Sequence, residues 1–206
     1  MGEISLENVT SMYHDILKEI GNIGAGNAMT ALSQMMNCRV DMDVPIVQLL
    51  DFADIGTMMG GEEQQMVGIY LGVEGDITGS IIFMVEKQDA KHLVNKVMYG
   101  MGDPGEDFTE MELSAMQEVG NIITGAYLNS MSMLTQLKIF PTPPSLAVDM
   151  ASAILSVPAV QFGIYGDKML LIESKFSDEN EIRGYFMLVP DLESYGKILQ
   201  SLGIAV

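Results

Sequence analysis

Two stretches of this chain carry the same polar residues at the same spacing, 99 positions apart. Asp15, Glu19 and Asn22 are followed by Gly26 and Pro45, and Ser114, Glu118 and Asn121 are followed by Gly125 and Pro144 at the same offsets. A carboxamide donates one hydrogen bond and accepts another, so it can hold a water with a lone pair aimed at an electrophile. A carboxylate one turn away can anchor a cation on a partner or accept a proton. Phosphoryl transfer needs little beyond positioning and charge neutralisation, and in GTPases an amide side chain orients the attacking water. One exposed Glu and one Asn on a helix are ordinarily solvated and idle. A duplicated fold keeps its apolar residues in step, but nothing structural makes it keep an exposed carboxylate and carboxamide.

The spacing becomes a surface when it is wound into a helix. At about 100° per residue, positions i, i+4, i+7 and i+11 fall within a stripe about 60° wide. Asp15, Glu19, Asn22 and Gly26 form one such stripe, and Ser114, Glu118, Asn121 and Gly125 form the other. Met12, Ile16, Ile20 and Ile23 lie to one side, and Leu17, Ala28, Ala31 and Leu32 broaden that apolar face. A glycine inside a helix costs about 1 kcal/mol relative to alanine, yet Gly21, Gly24 and Gly26 fall within six residues. Gly26 and Gly125 share the polar stripe, where a missing side chain leaves room for another backbone. Gly21 and Gly120 point the opposite way, toward close packing.

The elements that carry these stripes recur in the same order. A helix is predicted from about Thr10 to Asn37, and a second runs to about Leu137 behind the capping box Thr109/Glu112. Each is followed by a proline-containing, edge-type strand, Arg39 to Leu50 in the first half and from Lys138 in the second. Short helices are predicted to start at Asp51 and at Asp149. Strands follow near Met66–Val73 and Thr78–Val85, then near Val160–Tyr165, Lys168–Glu173 and Arg183–Val189. Helices at about Lys87–Tyr99 and Leu192–Leu202 close the two halves. Seven of the 27 positions from Glu19 to Pro45 are identical at the 99-residue offset. Gly68-Ile69-Tyr70 recurs as Gly163-Ile164-Tyr165, and Phe83-Met84 as Phe186-Met187. The expected class is α/β (α+β): one domain over 1–206 built of two pseudo-symmetric halves, about 10–104 and 109–206. Neither half has strands enough for a stable sheet alone, so both should share one mainly antiparallel sheet covered by helices.

Composition narrows the partners. With 28 acidic against 10 basic residues the net charge is −18, which disfavours nucleic acid and anionic membrane. Cys38 is the sole cysteine, excluding an internal disulfide and fitting a reducing compartment. The apolar runs have strand length rather than the ~20 residues of a membrane helix, and MGEISLENVT lacks the apolar core of a signal peptide. A cytoplasmic protein is expected. Gly21-Asn22-Ile23-Gly24-Ala25-Gly26 sits inside a helix and lacks the Lys-Ser/Thr of a phosphate loop. His14 and His92 lack metal-ligand spacing, so no metal site is expected.

The stripe Asp/Ser-x-x-x-Glu-x-x-Asn, with proline 23 residues on, resembles the CheC/CheX/FliY family of chemotaxis phosphatases across essentially the whole chain. The resemblance implies a CheC-like pseudo-two-fold fold and hydrolysis of the aspartyl phosphate of the response regulator CheY. Carried over by position, Asn22 and Asn121 would place the attacking water in line with phosphorus. Glu19 and Glu118 would engage the regulator near its active-site lysine. Asp15, Ser114, Gly26 and Gly125 would support them. Any Mg2+ would belong to the phosphorylated partner, and this chain would bind no cofactor. Members also bind the deamidase CheD, and the short helix expected at Asp149-Met150 resembles the docking element. The alternatives are a CheD-binding adaptor with little phosphatase activity, or a flagellar switch component.

Overall fold

A computed structural model describes residues 11–42, 46–51, 61, 63–162, 168–177 and 181–203. Two 26-residue helices dominate it, α1 (Ser11–Met36) and, 99 residues later at both ends, α3 (Glu110–Thr135). The rest of the order is β1 (Asp41–Met42), β2 (Ile46–Asp51), β3 (Gln65–Gly75), β4 (Gly79–Glu86), α2 (Lys87–Val97), β5 (Ile139–Pro141), β6 (Ser145–Met150), α4 (Ala151–Phe162), β7 (Lys168–Ser177), β8 (Glu181–Pro190) and α5 (Leu192–Ser201).

Local chemistry sets the ends of the long helices. Thr109 caps α3 by accepting from the Glu112 N–H, while the Glu112 carboxylate accepts from the Thr109 N–H at 2.8 Å. Both helices end alike: Asn37 (φ 48°) and Gln136 (φ 59°) turn left-handed. One turn before each, the Ser33 and Ser132 hydroxyls donate to the carbonyls of Cys38 and Leu137.

Among the described residues all strand pairings are antiparallel in one eight-stranded sheet, ordered β1-β7-β8-β4-β3-β5, with β2 also on β7 and β6 also on β3. The edge strands are exchanged between halves. β2 of the first half pairs with β7 of the second, and β6 of the second pairs with β3 of the first. The centre is the β4–β8 pair, where Phe83 lies opposite Phe186. The hairpins repeat in register too: Gly68 faces Met84 as Leu171 faces Met187.

Alternation along the strands sorts the core into two layers. Val67, Ile69, Leu71, Ile81, Phe83, Val85, Phe186 and Leu188 meet α1, α2, α3 and α5 on one face. Met66, Ile82, Met84, Tyr185, Met187 and Val189 meet Ala151 and Leu155 of α4 on the other. Expected strands near Met66–Val73, Thr78–Val85, Lys168–Glu173 and Arg183–Val189 are present, as are the helices after Lys87 and Leu192.

Three expectations need correction. Val160–Phe162 is helical where a strand is expected, and Gly163-Ile164-Tyr165 lies outside the described residues; by register the counterpart of Gly68 is Leu171. The short helix begins at Ala151, not Asp149; Asp149 and Met150 end β6, paired with Met66 and Gln65. Asp51 likewise ends β2, paired with Lys168, and the short helix expected between it and Gly60 lies outside the described residues. In both places an edge strand runs two residues further or one residue further than its hydrophobic pattern suggests, because a partner strand supplies the hydrogen bonds.

One buried charge ties the linker between the halves to α3. Glu112 is 1% exposed and accepts from Lys91 Nζ at 2.9 Å, the Asp103 N–H at 3.1 Å and the Thr109 N–H at 2.8 Å. Burial pushes its pKa up, but the Thr109 N–H, Lys91, the Thr109 hydroxyl and the Asp103 N–H together outweigh burial and lower it from 4.5 to about 2. A lowered folded-state pKa gives stability that is complete above the unfolded value and lost as pH falls from 4.5 through about 2. Glu112→Gln should therefore cost about 2–3 kcal/mol at pH 7. Urea denaturation of both proteins should show the gap closing as pH approaches 3; a gap independent of pH would refute the account.

Candidate active site

The buried residues of α3 are centred opposite Glu118. Met116, Val119, Gly120, Ile123, Thr124, Tyr127 and Leu128 all point into the protein, at about 80–180° from Glu118 in either direction. The same side of α1 buries Ile20, Ala25, Ala28 and Leu32. The core-facing side thus lies farther round than the apolar residues nearest the stripe suggest. Glu19, Glu118 and Ser114 are exposed, while Asn22, Asn121, Gly26 and Gly125 are half-buried. Both stripes face outward with their carboxylates in solvent and their carboxamides lower on the helix wall. Asp15 stands on α1, its side chain outside the described residues.

The glycines divide as their angles imply. A Cβ on Gly120 would come within 2.5 Å of Ile69, so that glycine lets α3 sit on β3. A Cβ on Gly24 would collide with the ring of Tyr127, so α1 and α3 touch there. That ring in turn leans on Phe186, centroid to centroid 4.4 Å. Asn27 Nδ2 donates to Ser130 Oγ at 2.8 Å across the same contact. A Cβ on Gly26 or Gly125, by contrast, would meet nothing within 4 Å. Packing gives no reason for glycine at those two places.

The motif proline has a different role. Pro143 and Pro144 offer no N–H and interrupt the edge of β3 between β5 and β6. Thr142 bridges the break, its N–H donating to the Gly72 carbonyl and its Oγ1 accepting from the Gly72 N–H at 2.8 Å. Pro144 thus belongs to the sheet edge; Pro45 lies outside the described residues.

The copies are not identical. Lys18, one turn before Asn22, is exposed and has Gln117 as its counterpart, half-buried on a helix with no basic residue. Thr30 and Asn129, both exposed, continue the two stripes one turn beyond the glycines, a position the same helical arithmetic could have found. Among the described residues no group of three His, Cys, Asp or Glu could hold a metal ion, and no helix is long and apolar enough to cross a membrane. The arrangement can dock a protein surface and hold a water beside it.

The CheC-like family model matches the chain twice, at residues 12–49 and 111–148, both ends shifted by 99. The CheY-P phosphatase CheC of Bacillus subtilis (strain 168) is 33% identical over 199 residues, covering 93% of this chain and 94% of that protein. The crystal structure of Thermotoga maritima FliY aligns with a TM-score of 0.75 at 21% identity, over 95% of this chain and 98% of that one. The CheX–CheY–BeF3–Mg2+ complex of Borrelia burgdorferi aligns with a TM-score of 0.58 at 18% identity, over 84% and 96%. With a duplicated motif, a shared sheet plan and a relative this similar over nearly its full length, the chain belongs to the CheC-like family.

Proposed function

We propose that this protein is a phosphatase of the phosphorylated response regulator CheY, with two active sites, one on α1 and one on α3. The observation that carries the reading is the Glu/Asn stripe, built twice on equal helices and facing solvent beside a glycine that packing does not require. The name of the Bacillus subtilis relative and the complex formed by CheX support the choice of substrate.

In the proposed reaction the helix lies against the regulator's phosphorylated aspartate. The carboxamide oxygen of Asn22 or Asn121 accepts from a water, aiming its lone pair at phosphorus opposite the acyl oxygen. The water oxygen bonds to phosphorus as the acyl P–O bond breaks. The aspartate leaves as carboxylate, and the water's proton leaves with inorganic phosphate or to solvent. Glu19 and Glu118 hold the regulator by its active-site lysine, and Asp15 or Ser114 supports that contact from one turn earlier. The Mg2+ belongs to the regulator. An acyl phosphate is already labile, so positioning alone lowers its barrier usefully.

The second reading, docking of CheD, is favoured by one surface. Val148 and Met150 are exposed at the end of β6, beside a groove lined by Gln65, Lys87, Phe108 and Leu113. Asp149 is exposed between them, and its Oδ1 accepts from the Met150 N–H at 2.7 Å. An edge strand, not a helix start, presents this proposed CheD site. Both activities fit one protein, because the groove and the stripes use different residues.

Three outcomes are expected. Asn22→Ala/Asn121→Ala should leave labelled phospho-CheY decaying at its spontaneous rate, each single variant keeping part of the activity; wild-type hydrolysis by the double variant would sink the assignment. Gly26→Ala/Gly125→Ala should raise stability by up to about 1 kcal/mol per site while lowering kcat/KM; unchanged kcat/KM would make those glycines irrelevant to docking. Asp149→Lys should abolish CheD binding in calorimetry and spare phosphate release, whereas undiminished CheD binding would remove that site.

A further inference from the structure

We infer that Met111, with Met12 as its counterpart on α1, is an apolar docking residue that seats the phosphorylated receiver domain on the stripe. The inference rests on the phosphatase reading above. Met111 is 70% exposed. Seven residues before Glu118, it lies about 20° from that carboxylate and about 10 Å along the axis, which puts it in line with Ser114, Glu118 and Gly125. Met12 stands seven residues before Glu19, so the residue recurs at the same 99-residue offset as the motif. The side chain of Met12 lies outside the described residues; by the same arithmetic position 12 is the member of the Ile16/Ile20 side nearest Glu19, about 20° from it.

The fold does not ask for methionine there. The core-facing side of α3 is carried by Met116, Val119 and Ile123, and the helix start is held by Thr109 and Glu112. In the first turn of a helix a carboxylate interacts better with the macrodipole than an apolar chain does. An exposed methionine at that place gains only when something covers it.

The occupant follows from continuity with the stripe. A stable interface covers about 800 Å² on each partner, a patch some 30 Å across. A receiver centred on Glu118 and Asn121 therefore reaches Met111, about 15 Å from the asparagine. Methionine is enriched in interface cores and adapts its shape to the surface it meets. The carboxylate holds the regulator's lysine and the amide orients the water, while methionine supplies apolar contact.

The test uses the full-length Asn22→Ala protein, in which only the second site turns over. Met111→Gln keeps the chain length and removes the apolar contact. Its KM for phospho-CheY should rise about tenfold with kcat within twofold, and Met111→Leu should restore KM. Asn121→Ala, by contrast, abolishes turnover in this parent. A KM within twofold of the parent in both Met111→Gln and Met111→Asp overturns the inference. If the parent is inactive, the same comparison is made with Met12→Gln in the Asn121→Ala protein. If no variant hydrolyses phospho-CheY, the phosphatase reading has failed separately. Affinity for beryllofluoride-activated CheY then decides the methionine: it should fall in Met111→Gln, and an unchanged Kd overturns the inference. Sedimentation velocity covers the remaining occupant, because a variant that changes only self-association, with KM intact, also overturns it.

Discussion

Everything in this molecule hangs on the antiparallel pairing of β4 with β8. Phe83 faces Phe186 where the two hairpins meet, and each hairpin borrows its outer strand from the other half of the chain. β2 and β6 would have no partner if either half folded alone, because the strands they pair with belong to the opposite hairpin. Long-range pairing of that kind has to be complete before the helices have a floor to rest on. Once it is complete, the same face of the sheet holds α1 and α3 together.

That shared floor gives the site its character. Each long helix is held from one side by packing, and the side left over carries the carboxylate, the carboxamide and the open glycine. A stripe on a continuous 26-residue helix keeps its side chains at fixed spacing, as the proposed orientation of a water requires. The small residues of one copy receive the large residue of the other: Gly24 accommodates the ring of Tyr127, whose own counterpart on α1 is Ala28. The glycines of α1 thus differ in kind: Gly24 is crowded by packing, and Gly26 is left open on the stripe.

Much of this was legible in the residues. Helix periodicity, the capping box and the 99-residue repeat located both long helices within two residues, since such signals are local and depend on side-chain spacing alone. The reading failed where spacing between repeats changes. Between its edge strand and its hairpin the second half has four residues more than the first, so the hairpins repeat at 103 and the helices at 99. The tripeptide match at Gly163-Ile164-Tyr165 suggests an extra strand from Val160, where the chain is still in α4; the strand expected at Lys168 is present. Asp149 looked like a helix cap because Asp often caps helices, but pairing with Met66 kept it in the strand.

The sequence by itself determined the helical stripe, because 100° per residue turns a spacing into a face without reference to the rest of the fold. It also showed that the stripe was doubled, and which side chains it carried. Only the tertiary structure decided which glycines are free and which are crowded, since that depends on Tyr127 and Ile69 arriving from far along the chain. Tertiary structure alone also showed that the edge strands are exchanged: strand pairing is set by backbone hydrogen bonds between distant segments, and those leave no spacing to read.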